Sequence, residues 1–184
     1  MIIAYHAIFT TYGTWLPNDP RGSYSQEVYN QALKALGEIR YGRQDPQPPH
    51  ETLKKFWTAA RPCLARPPYF INDATRLVVA QGFAKVVSRL QLNVSACSIM
   101  NDHVHILVMR SGHRVEYLVN QFKGAATRAL GLTVTPWAAD SWKVFINEKD
   151  ALYAAALYIQ RNPLANGWAP QRWSFLTPLP LYEP

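Results

Sequence analysis

The sequence predicts an α+β fold, an antiparallel sheet with helices packed on it, in the order β-α-β-β-α-β-α. Three observations predict it. The segments "NVSACSIMN" and "HVHILVMR" follow one another almost without a break, as the arms of an antiparallel hairpin do. Stretches with apolar residues at helical spacing lie on either side of that hairpin. A further run rich in Ile, Tyr, Phe and Thr opens the chain and has the composition of a buried strand.

Each element has its own signal. "IIAYHAIFTTYGTW" (2–15) reads as the first strand, central in the sheet, with Gly13 as punctuation. Between residues 16 and 68 lie eight of the 14 prolines. There "YSQEVYNQALKALGEI" accommodates a short helix, whereas "RQDPQPPHE" does not. Residues 16–70 are therefore expected as a Pro-rich elaboration packed on a single domain spanning 1–184, not as a second domain. In "INDATRLVVAQGFAKVVSRLQ" Asn72 or Asp73 caps a helix whose apolar stripe is Leu77, Val78, Phe83, Val86, Val87 and Leu90. After the hairpin, "VEYLVNQFKGAATRALG" lines one side with Val115, Leu118, Val119, Phe122, Ala126 and Leu130, and Gly131 stops it. "SWKVFINEK" supplies another strand. "NEKDALYAAALYIQRNP" closes with a helix ended by Pro163. This order is the ferredoxin-like split βαβ with one additional helix.

Composition narrows the function classes. The 184 residues are 48% hydrophobic, enough for one domain with a real core. Nineteen Lys and Arg against 12 Asp and Glu leave a net charge of +7, which favours a polyanionic partner, nucleic acid ahead of a membrane surface. No stretch approaches the ~18 apolar residues of a membrane span. The start lacks the charged and small-residue pattern of a signal peptide. Cys63 and Cys97 stand alone, without the spacing of a zinc ribbon or a disulfide framework, so a soluble, reducing, cytoplasmic setting is expected.

Two motifs carry chemistry. In "MNDHVHILVMR" alternation turns His103 and His105 to one face of a strand, with Leu107 and Met109, and Val104, Ile106 and Val108 to the other. Two imidazoles ~7 Å apart along a strand can reach one ion, and neutral imidazole binds Mn, Zn, Fe or Ni well and Mg when oxygen ligands complete the shell. They are equally compatible with core histidines satisfied by hydrogen bonds. In "ALYIQRNPLANG" Tyr158 and Asn162 are four apart and share a helix face, although a residue before proline tends to leave helical geometry. A tyrosine beside a metal suits nucleophilic attack on phosphorus. The alternative is one of ten tyrosines packed on the sheet. Tyr153 lies ~140° round the helix and Tyr117 on another helix, so neither shares that face.

Together, "NDHVHILV" and "YIQRNPLANG" resemble the HUH single-tyrosine transposases, in particular the REP-associated tyrosine transposase branch. The resemblance covers residues 70–168 and the first strand. It implies that His103, His105 and Asn162 hold a divalent metal, Mg²⁺ or Mn²⁺. It also implies that Tyr158 is the nucleophile, and that the fold is ferredoxin-like. The sequence departs from the family in Asn101-Asp102, where proline and an acidic residue are common, and in the length of residues 16–70. Such enzymes act on single-stranded DNA, often near a hairpin, and both monomers and homodimers occur among the wider relatives.

Single-stranded DNA calls for a cationic groove and exposed ring faces. Lys123 and Arg128, off the apolar stripe, Arg161 near Tyr158, and Arg172 with Trp173 in "PQRWSF" are the expected contacts; "RYGR" (40–43), Lys54 and Lys55 add charge to the elaboration. Surface solvation and core filling are the plainer roles for each. Three functions stand in order: a metal-dependent DNA strand transferase acting through a 5′-phosphotyrosine; a non-catalytic or domesticated nucleic-acid-binding protein on the same fold; and an unrelated metal-dependent hydrolase of small substrates.

Overall fold

A computed structural model of the chain describes residues 1–179 apart from 24, 26 and 29. Strand β1 (Ala4–Thr10) is followed by two helices of the elaboration, α1 (Gln31–Lys34) and α2 (His50–Ala60), and a 3-10 turn, Arg61–Cys63. Then come α3 (Asp73–Leu90), β2 (Val94–Ile99), β3 (His103–Met109), α4 (Val115–Ala129), β4 (Trp142–Ile146) and α5 (Lys149–Ala165). The strands form one sheet in the order β2-β3-β1-β4 with every neighbour antiparallel, so β1 and β3 are central as the ferredoxin-like order requires.

Alternation along β1 and β3 splits the core in two. Ala7, Phe9, Val104, Ile106 and Val108 face α3 and α4, where Phe83 meets Phe9 and Phe122 edge-on at 6.1 and 5.1 Å. Ala4 and Leu107 face α5 through Leu152, Ala156 and Ile159. Each buried Val, Leu, Ile or Phe side chain contributes about 1.5–3 kcal/mol. Gly82 brings α3 against α4: an added Cβ would lie 3.0 Å from the Ala125 carbonyl oxygen and the Ala126 Cα. Gly131, with φ +67, stops α4 as expected.

Three expectations are corrected. The inward stripe of α3 is Val79, Ala80, Phe83 and Val86, while Leu77 is 59% exposed. The reason is Arg76, which takes an inward position in the second turn. Its Nε donates to the Ile99 carbonyl at 2.8 Å, its Nη2 to Asn101 Oδ1 at 2.8 Å, and its guanidinium covers Trp168. Strand β2, whose segment "NVSACSIMN" alternates in sequence as a half-buried strand does, is instead buried throughout. It is an edge strand, and residues 171–177 cover it: the Gln171 amide bonds both N–H and C=O of Ile99, Trp173 Nε1 donates to Cys97, and the Thr177 N–H to Val94. Finally, α5 does not end at Pro163 but runs on to Ala165. Pro163 continues the buried line of Leu152, Ala156 and Ile159, so packing holds the helix past the missing hydrogen bond.

Of the short helix expected over residues 24–39, one turn forms, α1, capped by the Asn30 side chain; Tyr24, Gln26 and Tyr29 lie outside the described residues. The elaboration has a small core of its own, Leu16, Val28, Leu33, Phe56 and Ala60. Among the described residues no helix is long and apolar enough to cross a membrane.

Candidate functional site

On the α5 side of the sheet, β1 presents His6 and Ile8 and β3 presents His103, His105 and Leu107, in the register His6↔Leu107, Ile8↔His105 and Thr10↔His103. His6 thus lies diagonal to His105, and its Nε2 is 3.0 Å from His105 Nδ1. His103 Nδ1 is 2.6 Å from Asp102 Oδ1. The two β3 rings stand edge to face with centroids 4.9 Å apart. Both imidazoles therefore have Nδ1 engaged by a neighbour, and each keeps Nε2 for another partner. A histidine held through one nitrogen is the arrangement that orients the other toward a metal.

Tyr158 enters from α5. It precedes the buried Ile159 by one residue, which sets it on the flank of the helix. Its ring meets that of His105 edge-on at 5.4 Å and that of His6 at 6.2 Å, yet half of the residue (50%) stays exposed. The phenol and the histidines lie on one side of the sheet. Asn162, half-buried and one turn on, donates from Nδ2 to the Tyr158 carbonyl at 3.4 Å. The structure therefore brings His103, His105 and Tyr158 to one side of the sheet, and Asn162 lies one turn beyond Tyr158, inside the helix instead of at its frayed edge.

Burial sets the charges. It pushes the His6 imidazole down to about 4, and with the charges of His103 and His6 it holds His105 well below the usual histidine range. Burial alone would raise the Asp102 carboxyl, but its hydrogen bond to His103 and the charges of His103 and Arg21 outweigh this and keep it below the usual carboxylate value. A histidine with a depressed native pKa is protonated first in the unfolded chain. Stability is accordingly full above the unfolded value of 6.5 and falls as the pH drops toward 4, the window set by His6. For His6 alone the loss is about 3 kcal/mol. Urea unfolding at about pH 7 and pH 4.5, with His6→Phe as reference, checks this; a wild-type decline no steeper than that of the variant would contradict it.

Among the described residues no three His, Cys, Asp or Glu side chains converge as a ligand set. The strand offers two imidazole Nε2 atoms, and with oxygen ligands completing the shell such a pair suits a divalent ion. A further observation agrees with the fit. Ser98 pairs directly with His105, and its buried hydroxyl has no hydrogen-bond partner among the described residues.

The expected nucleic-acid contacts scatter. Arg161 is exposed on α5, three residues beyond Tyr158. Arg128 is exposed on α4, across the sheet from Tyr158. Arg172 is exposed beside β2, but Trp173 is half-buried against the core, with its indole N–H bonded to Cys97. Lys123 is a correction: it was expected to point to solvent, and is 7% exposed. Its ammonium donates to the carbonyls of Ala138, Ala139 and Asp140 at 2.8, 3.1 and 3.0 Å, tying down the loop before β4. Burial lowers it to about 8. Two site residues escaped the sequence reading. His6 offered only its parity within the first strand, and Asp102 only its position beside His103.

A family model described as "Transposase IS200 like" matches residues 63–160, more than half of the chain. The chain belongs to the IS200-like transposase family. The match takes in His103, His105 and Tyr158, with Asn162 just beyond it, and bears out the resemblance read from the two motifs. Among solved structures, this IS200-like transposase is similar to a REP-associated tyrosine transposase bound to a REP hairpin. The TM-score is 0.52 at 12% identity, over 91% of this chain and 70% of the other, a likeness of fold. It also matches a candidate transposase from Deinococcus radiodurans R1, with TM-score 0.38, 14% identity, and 92% and 93% of the two chains covered. No curated protein sequence matches the chain.

Proposed function

We propose that this transposase-family chain nicks and rejoins single-stranded DNA through Tyr158. The observation that carries the reading is the phenol half open to solvent and 5.4 Å from the ring of His105, on the face that also holds His103. The Tyr158 oxygen attacks a phosphodiester, the bond from phosphorus to the 3′ oxygen breaks, and a 5′-phosphotyrosine and a free 3′-OH result. The phenol proton leaves through the exposed side of the site, and the departing 3′ oxygen takes one up. A later 3′-OH reverses the step, so the bond energy is kept in the ester.

His103, His105 and Asn162 are the residues to hold the divalent ion, Mg²⁺ or Mn²⁺. When bound, it supplies orientation and charge neutralisation at the scissile phosphate. Asp102 and His6 then act as positioning residues: by accepting from Nδ1–H of His103 and His105 they fix the tautomers that leave both Nε2 lone pairs free. Neutral, buried His6 is suited to accepting that hydrogen bond. Arg161, exposed on the same helix as the nucleophile, is the cation this reading assigns to the strand near the cut.

Covalent capture tests the reading. Oligonucleotides with hairpins and unpaired flanks are incubated with the protein and Mg²⁺ or Mn²⁺, and denaturing gels are read for a protein–DNA adduct whose peptide maps to Tyr158. An adduct confined to another tyrosine, or DNA binding without any adduct on every substrate tried, favours the non-catalytic reading instead.

A further inference from the structure

The elaboration between β1 and α3 carries a surface of its own. Helix α2 buries Phe56 and Ala60 in the small core, and an adjoining side presents His50, Lys54, Trp57 and Thr58, with Arg61 following in the 3-10 turn. These five residues, Leu53 and Arg21 wall one open groove, and no carboxylate lines it.

Arg21 is anchored. It donates from Nε at 2.9 Å and Nη2 at 2.7 Å to Asp19, whose carboxylate is fully buried, and from Nη2 to the Thr14 carbonyl at 3.1 Å. Its guanidinium lies 3.9 Å over Trp15 and 5.9 Å from the Trp57 ring. Asp19 offsets the charge of Arg21. Lys54 and Arg61 are exposed and have no acidic partner among the described residues, and the nearby Glu51 is occupied by Lys55 at 3.1 Å. Two uncompensated cations roughly 10 Å apart along a helix, flanking a half-exposed indole, match a flexible polyanion whose flat bases are free to stack. A duplex keeps its bases stacked on each other and has no use for the indole.

The groove adjoins the site. Thr11 and Thr14 both donate their hydroxyls to the Asp102 carbonyl, at 3.1 and 3.2 Å. The same Thr14 accepts from Arg21, and Asp102 holds His103. A single residue thus joins the groove wall to the strand end that bears the histidines.

We infer that this groove is a track for the unpaired DNA segment flanking the phosphate attacked by Tyr158, with Lys54 and Arg61 on phosphates and a base against Trp57. This rests on the reading of the chain as acting on single-stranded DNA, and it assigns the elaboration a role in choosing the flank.

The test is anisotropy of a labelled hairpin carrying an unpaired oligothymidine extension, against the same hairpin blunt-ended, without metal, over about 50 to 200 mM salt. Wild type prefers the extended probe. K54Q/R61Q, which changes two exposed side chains, lowers affinity for the extended probe at least about five-fold and reduces its salt slope by about 1.4, leaving the blunt probe within about two-fold. K34Q/K85Q removes the same charge from exposed positions outside the groove and retains the preference; thermal melting verifies that both variants fold. A K54Q/R61Q slope equal to that of K34Q/K85Q overturns the track, even where the Tyr158 adduct forms. Wild type that binds neither probe overturns both the track and the DNA reading.

Discussion

Replacing Tyr158 by Phe is expected to lower formation of the covalent DNA adduct at least a thousandfold, about the scale of losing a nucleophile. The substitution is a clean one. Phe keeps the edge-on contact with His105 and the contact with His6, which are made by the ring. No hydrogen bond to the hydroxyl is seen among the described residues, so folding stability should stay within about 0.5 kcal/mol. Oligonucleotide affinity should likewise be kept, because the phenol oxygen acts only once phosphorus is in reach. Denaturing gels and anisotropy on the same protein sample separate the two readouts. An adduct of undiminished yield would assign the attack to another residue and remove the central claim of the proposed function.

His103→Ala combined with His105→Ala is expected to abolish adduct formation in Mg²⁺ or Mn²⁺, a loss of at least about a hundredfold, while metal-free DNA affinity changes little. The physical reason is that both Nδ1 atoms are engaged, to Asp102 and to His6, so Nε2 is what each ring offers, and the substitution removes both. His105 is 5% exposed, so the double variant leaves a cavity and unpairs His6. His103→Asn, at the more open end, provides the milder comparison, and its adduct yield should be partly restored by raising Mn²⁺. Titrating metal against adduct yield distinguishes a weakened ion site from a damaged fold. Full activity of the double variant would show that these imidazoles serve packing alone.

The candidate site was legible where chemistry and local periodicity coincide. His103 and His105 share a face because side chains alternate along any strand, and Tyr158 and Asn162 share one because four residues make about one helical turn. The family match over residues 63–160 takes in both histidines and Tyr158. The reading of Lys123 failed for a physical reason. Off the apolar stripe, a lysine is indistinguishable in sequence from a solvated one, and only the approach of three carbonyls from residues 138–140 made burial favourable. Pro163 misled similarly: its local rule says stop, and burial against the sheet overrode it.

What the sequence by itself determined is the order of the sheet strands and of the helices packed on the sheet, the central position of the first strand and the shared face of His103 and His105, all set by short-range spacing and composition. Helix α2, which begins at His50 inside the proline-rich segment, was not legible there. Tertiary structure decided which side of the sheet α5 covers, and hence that Tyr158 meets His105. It also brought His6, 99 residues away, to His105 Nδ1, and set Arg21 beside the strand end that carries Asp102. Those outcomes depend on strand register and helix docking between distant segments, where burial of whole faces, not any local propensity, selects the arrangement.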